Sequence, residues 1–65
     1  MKIVINGKED SIEPKTINDY ILSKGLDPKV VIVEYNLKIL KRDSWDSVIL
    51  QEGDNLEILN FVGGG

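Results

Sequence analysis

Residues 16–25, "TINDYILSKG", are the one stretch of this chain punctuated as a helix, and the stretch is short. Thr16 stands at the N-cap position, with Asp19 three residues on in capping-box spacing, the shorter acid taking the place of Glu. Ile17, Tyr20 and Ile21 fall at i, i+3 and i+4 and form a single apolar stripe. Gly25 offers the left-handed residue just past the end, and Leu26 is placed to fold back on the last turn. A helix of about nine residues is marginal in isolation. Its stripe must therefore be covered by a sheet, and the rest of the chain has to supply one.

The supply is visible in the flanking runs. "MKIVING" alternates, with Ile3 and Ile5 on one face, and Asn6-Gly7 is a two-residue hairpin signal because both positions tolerate positive φ. "KEDSIE" is the weaker returning strand, expected at an edge because its charges and the following Pro14 discourage further pairing. After Asp27-Pro28, "VVIVEY" is β-branched and nearly all apolar, the mark of a central strand. Asn36 marks a turn and "LKIL" a short return. "KRDSWDSV" reads as a loop or single helical turn anchored by Trp45, "QEGDN" as a turn, and "LEILNFV" as the last strand. The first and last strands are both apolar and are placed side by side in the sheet centre. The expected architecture is an α+β roll of the β-grasp type, a mixed five-stranded sheet with one main helix packed on one face. Residues 1–62 form the domain and residues 63–65 a flexible glycine tail.

Composition narrows the chemistry. The 65 residues make one domain, and with no cysteine and no histidine the fold has to hold by packing and turns alone. The same absences remove Cys or His nucleophile–base pairs and zinc-finger-type sites. Missing thiols fit a cytoplasmic setting, and no apolar run reaches the roughly 20 residues of a membrane span. Residues 1–42 hold all eight Lys and Arg against six acids, a balance of +2, whereas residues 43–65 carry five acids and no Lys or Arg, a balance of −5. A nucleic-acid binder needs the reverse. An acidic C-terminal third suits a basic protein partner, although ordinary solubility charge accounts for it equally well. Asp43, Asp46, Glu52 and Asp54 follow no calcium-loop spacing and read as solvated turn acids, so no metal site is expected.

The chain closes on "FVGGG". Without Cβ atoms, glycines can thread a narrow channel and let the backbone approach a bound group closely. A carboxylate at the terminus, with an ordinary pKa near 3.5, is ionised and unreactive until given a better leaving group. Nothing in the sequence could supply that step: there is no GxxxxGK phosphate loop, no His base and no Cys nucleophile. Such an end is a substrate for another protein's active site, or else it is idle. In "LEILNFV", Leu56 and Ile58 share one face, and Leu59 and Phe61 share the other. A sheet covered by one helix turns its second face to solvent, so Leu59 and Phe61, with Val62 beside the glycines, are the candidate partner contacts. The alternative is that both faces of a central strand are core.

"MKIVING", "VVIVEYN", "RDSW", "EGD" and the terminal "FVGGG", in this order and within this length, resemble the ThiS family, the ubiquitin-like β-grasp sulfur carriers of thiamin biosynthesis. The resemblance covers essentially the whole chain. It implies a carrier, not an enzyme: a ThiF-like adenylyltransferase uses ATP and magnesium to adenylate the terminal carboxylate, and a persulfide sulfur from a cysteine desulfurase-type donor displaces AMP. The resulting thiocarboxylate passes its sulfur to a ThiG-like thiazole synthase. Carried onto this chain, Gly65 is the residue modified, Gly64 its required neighbour, and Gly63 a less strictly needed addition. Two alternatives are the small subunit of molybdopterin synthase, which uses the same chemistry, and a non-catalytic β-grasp interaction module. The former is usually longer, with prolines before its diglycine, which are absent here; ubiquitin-type modifiers usually have arginine where Val62 stands.

Overall fold

The computed structural model describes residues 1–60; the expectations for Phe61, Val62 and residues 63–65 lie outside the described residues. Strands β1 (Lys2–Ile5) and β2 (Lys8–Ser11) form a hairpin, followed by helix α1 (Ile17–Ser23), a 3-10 turn (Pro28–Val30) and a second hairpin of β3 (Val31–Tyr35) and β4 (Lys38–Leu40). A longer 3-10 segment (Arg42–Ser47) then leads to β5 (Asn55–Asn60). The sheet order is β2-β1-β5-β3-β4. β1 and β5 are parallel and all other pairs antiparallel, so the sheet is mixed, with the first and last strands adjacent and β5 in the middle.

The local causes are those legible in the sequence, with two refinements. Thr16 Oγ1 accepts from Asp19 N at 3.0 Å, one half of a capping box. At the other end Gly25 takes φ +74, Leu26 N donates to Ile21 O and Gly25 N to Leu22 O, the paired bonds of a Schellman motif. The "VVIVEY" run starts as a strand only at Val31: Pro28 opens a 3-10 turn capped by Asp27, whose carboxylate accepts from Lys29 N, and this turn absorbs Val30.

The core lies between α1, the Arg42–Ser47 segment and one face of the sheet. Ile3, Ile17, Ile21, Val33 and Leu56 are fully buried, with Tyr20, Trp45 and Leu50 almost so. Trp45 is the anchor of its segment, its indole N–H donating to Leu40 O at 3.0 Å. Edge strand β2 turns Asp10 toward the helix side, where it accepts from the Tyr20 hydroxyl at 2.8 Å and lies 3.2 Å from Lys24 Nζ. These two partners, the tyrosine first, hold the Asp10 carboxyl below its ordinary value. An inward-turned charge on an edge strand also discourages pairing with another chain.

Candidate docking face and the setting of the last strand

β5 alternates as its sequence requires. Leu56 is buried and Ile58 half-buried on the helix side, while Glu57 and Leu59 are exposed on the other. Leu59 is 57% exposed and lies opposite Ile32 of β3. One step along, Glu57 lies opposite Glu34, and Glu34 opposite Ile39 of β4, itself 70% exposed. The open face therefore carries an apolar pair at the outgoing end of β5 and a pair of facing carboxylates beside it. Like charges directly opposite one another disfavour the isolated sheet. A surface of this kind gains from a partner that brings apolar contacts together with positive charge. Of the sequence-proposed contacts, Leu59 sits on this face. Ile32, Glu34 and Ile39 belong to it too and were not singled out, because cross-strand neighbours become visible only once the register is known.

Two turn asparagines hold β5 in place. Both hairpins have positive φ at their two central residues, Asn6 and Gly7 in the first and Asn36 and Leu37 in the second. Asn36 grips the start of β5: its backbone N–H donates to Asn55 O at 2.8 Å, and its side-chain oxygen accepts from Asn55 N at 2.8 Å. Asn6 grips Ile58 with both ends of its amide, accepting from Ile58 N at 2.7 Å and donating to Ile58 O at 3.3 Å. Next to Asn55, Asp54 is a buried carboxylate receiving the Tyr35 hydroxyl at 2.7 Å, Gln51 N at 2.8 Å and Asn36 Nδ2 at 3.2 Å. Burial first, then the bond to Asp54, pushes the Tyr35 hydroxyl up to about 12. Asp54, read from sequence as a solvated turn acid, is instead consumed by hydrogen bonds. A turn acid next to a strand start is the only sequence signal it offered.

Among the described residues no three acidic side chains converge to hold a metal, and no helix is long and apolar enough to cross a membrane.

The chain is similar to known proteins over its whole length. The ThiS family model matches residues 3–65, a span that includes the three glycines. The sulfur carrier protein ThiS of Bacillus subtilis is 40% identical over 63 residues, covering 94% of this chain and 96% of that protein. The crystal structure of the thiamine biosynthesis protein ThiS from Geobacter metallireducens superposes with a TM-score of 0.85 at 29% identity, covering all of both chains. A thiazole synthase of Paramagnetospirillum magneticum is 41% identical over 66 residues; this chain spans 20% of its length.

Proposed function

Because the chain belongs to the ThiS family, of ubiquitin-like β-grasp fold, we propose that it is a sulfur carrier for thiamin biosynthesis, its C-terminal glycine carboxylate serving as the attachment point. The observation that carries this is the family match through residue 65 on a chain with no cysteine. Without a thiol, carried sulfur has to sit on the main chain. An oxygen of the Gly65 carboxylate attacks the α-phosphorus of ATP in a partner's active site, with magnesium there and pyrophosphate leaving. A persulfide sulfur attacks the acyl carbon and AMP leaves. A thiol then cleaves the sulfur–sulfur bond, releasing the thiocarboxylate. The protein does none of this catalysis; it presents the end of the chain and docks.

Docking falls to the open face. Leu59 supplies exposed apolar surface close to the outgoing chain, with Phe61 and Val62 as further contacts, and the acidic row favours a basic partner surface. The partners are a ThiF-like adenylating enzyme, a cysteine-derived sulfur donor and a thiazole synthase as acceptor. The occurrence of a matching segment within a thiazole synthase supports the last of these, since fusion keeps donor and acceptor at high effective concentration. It also favours thiamin over the molybdopterin alternative.

The test is incubation with the cognate adenylating enzyme, ATP, magnesium and a sulfur donor, followed by intact and fragment mass spectrometry. One oxygen is expected to be replaced by sulfur at Gly65. Modification elsewhere, or none, sinks the carrier reading and leaves an interaction module.

A further inference from the structure

The parallel pairing of β1 with β5 ends early. Its register runs Val4 to Asn55 and Ile5 to Leu56, and the last backbone bond on this side is Asn6 N to Leu56 O at 2.9 Å. In a continuing parallel ladder, Ile58 N would donate to the main-chain carbonyl of residue 6, and Ile58 O would accept from the N–H of residue 8. The chain cannot provide these, because Asn6 takes φ +49 and turns into the hairpin with β2. The Asn6 side chain provides them instead. Its carboxamide carries one acceptor and one donor in the geometry of a peptide group, and it meets both polar atoms of Ile58. On the β3 side, β5 stays backbone-paired through Asn60 opposite Val31. Among the described residues, the stretch that leads to Leu59 is thus held by β3 on one flank and by a single side-chain amide on the other.

We propose that Asn6 is a positioning residue: by standing in for the next peptide unit of β1, it fixes Ile58, and with it the face Leu59 presents and the direction in which the chain leaves toward Gly65. This rests on the carrier reading, since it assigns Asn6 a part in delivering the terminal carboxylate. The residue type is specific to the task. Asparagine tolerates the left-handed backbone of the turn and has a donor and an acceptor on one short planar group. Glycine would keep the turn and lose the clamp. Aspartate would keep an acceptor for Ile58 N and oppose the Ile58 carbonyl with a lone pair.

The experiment compares wild type, Asn6→Gly, Asn6→Asp and, as a structural control, Asn36→Gly, which loosens the start of β5 without touching Ile58. Hydrogen exchange is followed at the Ile58 and Leu56 amides, denaturation gives global stability, and pyrophosphate release by the cognate adenylating enzyme gives kcat and KM separately. With Asn6→Gly, exchange at Ile58 is expected to accelerate about tenfold relative to Leu56, as for loss of one local hydrogen bond. The adenylation kcat is expected to fall at least about tenfold while KM stays near the wild-type value, because a small misplacement of the reacting group costs rate. Asn6→Asp shifts both readouts in the same direction, and Asn36→Gly lowers stability while leaving kcat unchanged. Unaltered protection at Ile58 in both Asn6 variants, or a freed Ile58 with unaltered kcat, overturns the positioning role while wild-type adenylation keeps the carrier reading intact. If wild type itself is not adenylated, the carrier reading falls and takes the role with it, even where the exchange data show the clamp.

Discussion

At the residue scale, the strongest demands come from groups that burial leaves with one acceptable arrangement. Tyr35 and Asp54 are such a pair. Tyr35→Phe keeps the ring and removes a donor from a buried carboxylate, so a loss of about 1–3 kcal/mol is expected by urea denaturation. The pH dependence has a definite sign. An unfolded tyrosine ionises near 10 and the folded Tyr35 near 12, so the unfolded state releases its proton first as pH rises. The contribution of Tyr35 is present below pH 10 and is lost between pH 10 and 12, where wild type should weaken more steeply than Tyr35→Phe. Asp10 works in the opposite sense. Its lowered value contributes stability above the ordinary carboxylate value of 3.8 that fades as pH falls below it. Trp45 is the largest fully buried side chain. Trp45→Ala removes about 3–5 kcal/mol, comparable to the whole stability expected of a domain this small, and circular dichroism should find the variant largely unfolded.

At the element scale, the two faces of β5 have opposite sensitivities. Leu56 is fully buried and Leu59 is mostly exposed, three residues apart on one strand. Leu59→Asp should cost about 1–2 kcal/mol, from the poor strand propensity of Asp and the lost pair with Ile32, and leave the fold intact. The same change places another carboxylate beside Glu57 and Glu34 and removes the apolar contact opposite Ile32, so binding to the adenylating enzyme, measured by calorimetry, should weaken strongly. Retained affinity would show that the open face is not where the partner sits. The helix needed no such context to be found, because its cap, stripe and Schellman glycine are all local. Where β3 begins did need context: Pro28 favours a tight turn entry, and that displaced the strand start from Val30 to Val31.

At the scale of the whole molecule, the fold fixes a platform and the proposed attachment point is the carboxylate of Gly65. One alanine added after Gly65 leaves every described residue unchanged, so denaturation should shift by no more than about 0.5 kcal/mol. The reactive carboxylate moves by roughly 3.5 Å, and displacements of about 1 Å can cost about 100-fold in rate, so adenylation should collapse while affinity falls less. Normal pyrophosphate release from that variant would show that the terminal position is not read. The sequence by itself determined the elements, the adjacency of the first and last strands and the anchoring role of Trp45. Each follows from local periodicity, apolar patterning or turn residues. Only the tertiary structure decided that Ile32, Glu34 and Ile39 share a face with Leu59, that Asp54 is buried, and that Asn6 and Asn36 grip β5. Those pairings join residues up to 52 positions apart, and strand register, which no local pattern encodes across such separations, brings them together.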